Sequence, residues 1–349
     1  MPKSRLSRIS RRGLLTAGGA VGLSALLAAC GDDKGGKGTK SASESGAGSD
    51  GPFSFEDDRG TEVKLDEQPA NIVAFTGTAA ALWDYGIKVK GVFGPTETAD
   101  GMPDVQAGDM DISKVEILGN AYDKFSVEKY AALDPDLLIT DMWIKDQAWY
   151  ITGTAAEKKI LQLQVPSVLL WAAETTMDKA LARRVELAAA LGADVKSAKV
   201  TESKAAFEKA AARLRAAAKS NPGIRVLVGS GSADLFYVSA PKTSADTRYF
   251  EELGVEFVQP KVNAQGFFEE LSWENAGKYE ADLIMVDNRT GTLQPAELDK
   301  SKPTWQQLPA VKAGQVIPRV TEPVYSYAKC TPILESLAEA IENAKKVTS

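Results

Sequence analysis

From residue 53 onward, short apolar runs alternate with stretches in which apolar residues recur at helical spacing. Phe53-Ser-Phe-Glu-Asp-Asp-Arg-Gly-Thr-Glu-Val-Lys-Leu65 alternates in polarity and turns at Gly60, which predicts a hairpin-like lead-in. The runs at 72–75, 89–93, 136–140 and 167–170 read as strands. Residues from about 78 to 85, 127 to 133 and 155 to 163 carry helical spacing between them. The same alternation returns later, with strands at 225–228, 235–238 and 283–286 and helices over 244–253 and 332–345. Strands that alternate with helices predict an α/β fold with parallel sheets.

Between these two series lies a stretch with no strand pattern. Met177, Leu181, Val185, Ala188 and Leu191 recur at helical spacing, and Gly192-Ala193-Asp194 supplies a stop followed by an N-cap. A second helix continues through Val200, Phe207 and Leu214 until Ser220-Asn221-Pro222-Gly223 ends it. Its alanine, lysine and glutamate content sustains a helix of about 40 Å at ~1.5 Å per residue. The apolar stripe is thin and the other faces are charged, which suits a helix lying across two bodies. The competing reading is a surface helix of one large domain. An internal echo favours two lobes: Asp136-Leu-Leu-Ile-Thr-Asp141-Met-Trp143 matches Asp282-Leu-Ile-Met-Val-Asp287-Asn-Arg289. Both put an aspartate at a strand's C-terminal end, where open α/β sheets bind ligands. The expected organisation is a first lobe over 53–175, a helical connector over 176–221 and a second lobe over 222–349.

The first fifty residues are of another kind. Lys3, Arg5, Arg8, Arg11 and Arg12 precede the apolar run from Leu14 to Ala29, which is too short and glycine-rich to span a bilayer. Ser10-Arg11-Arg12-Gly13-Leu14-Leu15 resembles a twin-arginine export signal, with Leu14 where phenylalanine is usual. Leu27-Ala28-Ala29-Cys30 resembles a lipobox. That resemblance implies a signal peptide over 1–29 and a mature protein beginning at Cys30 with lipid on its sulfur. Residues 30–52, rich in Gly, Ser, Lys and Asp, then form a flexible tether. A lipid-anchored protein on the extracytoplasmic face of the membrane is the expectation. Cys330 is left unpaired, a buried small hydrophobe ahead of the closing helix. Loss of the signal, with five basic and no acidic residues, takes the formal charge from −6 to about −11, which argues against nucleic acid as a partner. Histidine is absent, removing the commonest general base and a main transition-metal ligand.

Several segments, in order, carry a family resemblance over nearly all of the mature chain. They are 55–75, Leu82-Trp-Asp-Tyr-Gly-Ile-Lys-Val-Lys-Gly-Val92, Ser126-Val-Glu-Lys-Tyr-Ala-Ala-Leu-Asp-Pro-Asp-Leu-Leu-Ile139, Tyr249-Phe-Glu-Glu-Leu-Gly254, Leu271-Ser-Trp-Glu-Asn-Ala276 and Ala281-Asp-Leu-Ile284. Together they resemble the substrate-binding proteins of iron-siderophore ABC transporters. The resemblance implies two Rossmann-like lobes bridged by one long helix, a shallow cleft between them and little hinge motion. It also implies one surface glutamate per lobe that docks on the permease. By position these are Glu116 and Glu251, with Glu252 a close rival.

No enzyme motif is present. Gly229-Ser-Gly-Ser232 follows a strand but is neither a nucleophile elbow nor a phosphate loop, and no histidine exists to complete a triad. The candidate chemistry is aromatic. Tyr122, Trp143, Trp149, Tyr150, Trp171, Tyr237, Phe267, Phe268, Tyr325 and Tyr327 fall at strand ends or in loops. Flat rings there cover apolar ligand surface while hydroxyl and indole groups give direction. Related proteins place an aromatic in the loop of Phe267 and Phe268. Trp83, Trp273 and Trp305 lie in helical patterns and read as packing residues. Arg289, at the end of the second echo, and Arg248 are the candidate donors to ligand oxygens.

These observations predict a monomeric receptor that captures a ferric siderophore and delivers it to an ABC permease. It needs no cofactor of its own, since iron arrives already chelated. A cobalamin or haem receptor on the same scaffold is the alternative, and an anchored surface enzyme the rival of another class. No arginine occurs from Asn71 to Ala172, and the second lobe has only Arg225, Arg248, Arg289 and Arg319. A trianionic triscatecholate needs a concentrated cationic cleft, whereas a near-neutral trishydroxamate needs apolar cover and a few donors. The expectation is therefore a hydroxamate of the ferrioxamine kind.

Overall fold

The structure, a computed structural model, describes residues 51–262 and 266–348, which belong to one compact body. The proposed signal, Cys30 and most of the tether lie outside the described residues. The chain opens with β1 (Phe53–Glu56) and β2 (Glu62–Leu65), an antiparallel hairpin. Asp57 builds its loop: Oδ1 accepts from the backbone N–H groups of Arg59 and Thr61, and Gly60 takes a φ of 79°. The other oxygen of Asp57 accepts from Leu169 N at 3.0 Å, so the hairpin loop also caps the edge of the neighbouring sheet.

That first sheet is built from β3 (Ile72–Phe75), β4 (Gly91–Phe93), β5 (Glu116–Gly119), β6 (Leu137–Met142) and β7 (Ser167–Trp171). Its order is β5-β4-β3-β6-β7 and every pair is parallel, as the strand-helix alternation predicts. Its helices are α1 (Thr76–Asp84), α2 (Val127–Ala132) and α3 (Glu157–Gln162). β3 is buried throughout, which explains its uninterrupted apolar run.

The connector forms α4 (Met177–Ala190) and α5 (Ala198–Ser220). With 23 residues α5 is about 34 Å long. It touches both lobes: Lys199 Nζ donates to Asp84 O of α1, and Phe207 stacks on Tyr249 with ring centroids 5.9 Å apart. Its buried stripe, including Val200, Phe207, Ala211 and Leu214, is covered by the closing helix. One core cluster runs from the first lobe through this pair of helices to Val226 and Met285 in the second.

The second sheet comprises β8 (Arg225–Gly231), β9 (Leu235–Ser239), β10 (Glu256–Phe257), β11 (Phe268–Ser272), β12 (Leu283–Asp287) and β13 (Val316–Arg319). Its order is β11-β9-β8-β12-β13, with β10 paired to the start of β8. Here the expectation of parallel pairing meets an exception. Only three residues join β8 to β9, too few for a crossover, so the chain doubles back and β9 and β11 run antiparallel. The sheet is mixed. Around it lie α6 (Ala245–Glu252), α7 (Pro295–Ser301), α8 (Pro309–Lys312) and α9 (Tyr327–Asn343). α9 begins one and a half turns earlier than its proline suggests. Ser326 caps it by accepting from Lys329 N, and Pro332 sits inside the helix. The echoed strands are β6 and β12, with Asp141 and Asp287 near their C-terminal ends.

Candidate functional site

The C-terminal ends of β3, β6 and β7 carry an aromatic cluster. After β6 the chain enters a loop that folds back on the strand, with Trp149 N donating to Asp141 O and Thr140 Oγ1 donating to Trp149 O, both at 2.9 Å. Reversing so tightly drives Asp146 and Tyr150 into the left-handed region, at φ 64° and 63°. For a residue as bulky as tyrosine that conformation costs on the order of 1–3 kcal/mol. What it achieves is a contact chain of rings. Trp143 lies 5.7 Å from Trp149, Trp149 5.6 Å from Tyr150, and Tyr150 5.7 Å from Tyr122. Phe75, at the end of β3, supports Tyr150 from below at 5.3 Å. A cavity of about 130 Å³ opens between Tyr122, Trp143, Ile144 and Trp149 of the first lobe and Phe267 of the second. The indole N–H groups of Trp143 and Trp149 are buried with no acceptor. An aromatic wall suits a ligand with an apolar frame, and the two idle indole donors belong to its rings.

The second lobe supplies the opposite wall. Tyr237 on β9 meets Phe268 of β11 edge-on at 5.1 Å, and Phe267 precedes them at the cavity. Trp171 ends β7 beside Met142 of β6, one strand across from Trp143. Tyr325 and Tyr327 do not join this group. Tyr325 is 3% exposed beneath the guanidinium of Arg184, and Tyr327 is buried against Phe207 at 5.6 Å. Both lie in the core between the lobes, because they open α9 and the segment just before it.

Arg289 is not the free donor fork that its position suggests. Nε and Nη2 donate to Asp287, the latter at 2.8 Å, and Nη1 donates to Glu322 at 2.6 Å. Its side chain is still 35% exposed. Burial opposes its charge, but Glu322 and Asp287 overrule this and raise its pKa. For Asp287 burial likewise opposes charge, yet the hydrogen bonds and charge of Arg289 hold it below the usual range. Burial lifts the carboxyl of Glu322, with Arg289 opposing. Tyr150 stands close enough to feel this group; burial first, then the charge of Glu322, pushes its hydroxyl up to about 12. Arg248 is likewise engaged, donating to Lys242 O and, at 3.1 Å, to Glu174 across the lobe boundary.

Five residues of this arrangement lay outside the sequence-derived candidates. Phe75 reads as a plain core residue of its strand. Asp287 was visible as the end of the echo. Gln106 donates to Glu322 at 3.1 Å and Asp104 accepts from Thr290 at 2.7 Å, each joining the lobes, and no local pattern announces them or Glu322. A larger groove of about 500 Å³ runs between residues 103–108, β13 and α9. It is walled by prolines and aliphatic side chains without an aromatic ring, and its one lysine, Lys329, is paired with Asp109 at 2.5 Å. The smaller, aromatic cavity is therefore the candidate site. Among the described residues no group of three or more His, Cys, Asp or Glu side chains is placed to hold a metal ion. The expected docking residues lie elsewhere: Glu116 opens β5 and pairs with Lys129 at 2.6 Å, while Glu251 on α6 accepts from Gln259 and Glu252 beside it is exposed.

Two α/β lobes on a helical spine, with an aromatic crevice at their strand ends, define a bilobed receptor for a small solute. Residues 72–318 match the periplasmic binding protein family model, and the chain belongs to that family of non-enzymatic solute receptors. It is 57% identical to DesE, a ferric-siderophore receptor protein from Streptomyces coelicolor, over 85% of this chain and all of that structure, with a TM-score of 0.81. The FhuD protein from S. pseudintermedius shares the fold at a TM-score of 0.55 and 22% identity, over 84% of this chain and 98% of that one. A curated relative, the Fe(3+)-citrate-binding protein YfmC of Bacillus subtilis, is 27% identical over 191 residues. That match spans 55% of this chain and 55% of the relative.

Proposed function

We propose that the protein is a lipid-anchored extracytoplasmic receptor that captures a ferric hydroxamate siderophore, of the ferrioxamine kind, and delivers it to an ABC permease. The observation that carries the ligand class is the aromatic wall with two unpartnered indole donors, beside an arginine whose charge two carboxylates already offset. A near-neutral trishydroxamate complex is met by rings and a few donors, whereas a trianionic complex lacks the cations it needs. The likeness to a ferric-siderophore receptor at 57% identity supports the iron-chelate reading. The likeness to a ferric-citrate binder covers half of each chain at 27% and carries less weight against the acidic surroundings of Arg289.

Iron enters as part of the chelate, so recognition is of the chelate's outer surface and no bond is made or broken. Trp143 and Trp149 would donate to oxygens of the ligand while Tyr122, Tyr150 and Phe267 cover its carbon frame. Titrating the purified protein with ferrioxamine and with a ferric triscatecholate, following tryptophan fluorescence, tests this. Quenching by ferrioxamine and none by the triscatecholate is expected; the reverse pattern would overturn the ligand class. For the anchor, Cys30→Ala should release the protein from the membrane fraction or block its maturation. Unchanged retention with normal processing would count against lipidation at Cys30.

A further inference from the structure

We infer that Glu322 sets the charge selectivity of the cleft, by clamping Arg289 together with Asp287 so that anionic ferric chelates are rejected. This rests on reading the protein as a ferric-chelate receptor. The starting point is donor arithmetic. A guanidinium has five N–H groups. Arg289 spends its Nε and one terminal N–H on Asp287 and another on Glu322. It keeps N–H groups for a ligand through its exposed third, but not its net positive charge.

Two buried carboxylates contact that cation, Asp287 at 3% and Glu322 at 8% exposure, and a third, Asp104 at 4%, lies close by; Arg319, opposite Asp287 on β13, is itself paired with Asp246. Asp104 reaches the patch through Thr290, the residue after Arg289. Nothing in the strand pattern requires Glu322 to be there. It lies in the segment between β13 and α9 and is held at a φ of 55°, directly before a proline. A non-glycine residue kept in that conformation, with its carboxylate 2.6 Å from Arg289, carries strain of the kind that gathers at ligand sites.

Gln106 fixes the carboxylate from the first lobe. Its Nε2 donates to Glu322 at 3.1 Å, and its Oε1, at a residue only 1% exposed, is left without a partner. An amide with its acceptor idle has been oriented by the carboxylate it faces. Glu322 is thus gripped from both lobes and fixed beside the arginine. Residue 289 alone would make a receptor for anions. Asp287 offsets that charge, and Glu322 tips the patch to net negative.

The test uses the full mature chain and its Glu322→Gln variant, titrated with a neutral ferric trishydroxamate, a trianionic ferric triscatecholate and ferric citrate. Glutamine keeps the shape and removes one negative charge. The ratio of triscatecholate to trishydroxamate affinity should rise by roughly tenfold or more, and the rise should shrink in high salt. Asp287→Asn should move the ratio in the same direction, and thermal melts establish that each variant is folded. A folded Glu322→Gln protein whose ratio stays within about twofold of wild type overturns the role of Glu322. Failure of wild type to bind any trishydroxamate overturns the ligand class instead. In that case the ratio of citrate to triscatecholate affinity, which should shift toward the more highly charged complex in the variant, still decides the role of Glu322.

Discussion

At the residue scale the costliest feature is Arg184, a helix residue with no exposed side-chain surface. Its guanidinium donates to Asp141 at 2.8 Å and to Trp171 O at 2.8 Å, and it lies 4.8 Å from the ring of Tyr325. Asp141 also accepts from Thr78 at 2.6 Å. One pair therefore ties α4, β6 and β7 together directly beneath Trp143 and Trp171. Removing one partner strands a buried charge, so Arg184→Ala should destabilise the protein by about 3–5 kcal/mol, measured by chemical denaturation. Arg184→Met combined with Asp141→Asn should recover much of that loss. Additive losses in the double variant would show that the pair is not the cause. Arg184 was invisible in the sequence because its position on α4 falls within the apolar stripe, where a periodicity argument counts only apolar neighbours. Asp287 allows a prediction in pH. Its pKa is depressed in the folded state, so its stabilising contribution is present above the usual carboxylate range and is lost as pH falls through the lowered value. Asp287→Asn should flatten the decline of the melting temperature below about pH 4. Glu322, raised by burial, acts in the opposite sense: its contribution fades as pH rises through its folded pKa.

At the element scale the long, strongly patterned pieces were legible and the short, locally dictated ones were not. β3, β6, β7 and β12 announced themselves as apolar runs because both faces of each are covered. α4 and α5 were legible from spacing and from the Gly192 and Asn221 stops. β5 and β13 went unseen for physical reasons: each is an edge strand of four residues, and β13 contains Pro318, which an edge alone tolerates. The antiparallel turn of β9 was set by loop length, not by the strands' own composition. Phe268 was read as a loop residue, though it begins β11, because the pairing with Ser239 is long-range. Of the site, aromatic character and location at strand ends were legible. The Arg289 clamp was not, since it is assembled from residues 106, 287 and 322. Element geometry also yields a test. Gly94 follows β4 at a φ of 103°, and a Cβ there would meet the ring of Phe75 at 2.5 Å. Phe75 is the support of Tyr150. Gly94→Ala should cost about 1–3 kcal/mol in stability and weaken ligand binding several-fold through displaced rings. Unaltered affinity in the folded variant would mean the ring stack is not what holds the ligand.

At the scale of the whole molecule the lobes are joined by far more than a linker. The core is continuous through α5 and α9, and polar ties cross the boundary at Ala245 N to Ala172 O, Ser326 to Asp84 and Gln106 to Glu322. Closing such a body by tens of degrees would break several of these at once. If the protein docks on a permease, as proposed, these ties would hold the docking residues of the two lobes at a set spacing. That bears on docking. Glu116 stands on β5 of the first lobe and Glu251 and Glu252 on α6 of the second. Of the latter two, Glu252 is exposed while Glu251 is half-buried and engaged by Gln259, so Glu252 is the freer partner for an arginine pocket. The pair of Glu116 with Lys129 is a surface contact worth at most about 1 kcal/mol, easily exchanged for a permease arginine. Charge reversal at Glu116 and Glu252 together should abolish iron uptake in cells while ferric-siderophore affinity of the purified protein stays at the wild-type value. Reversal at Glu116 and Glu251 should do so less completely. Each single reversal should leave partial uptake, one lobe still docking. Normal transport by the Glu116 and Glu252 double variant would rule out these residues as the docking pair.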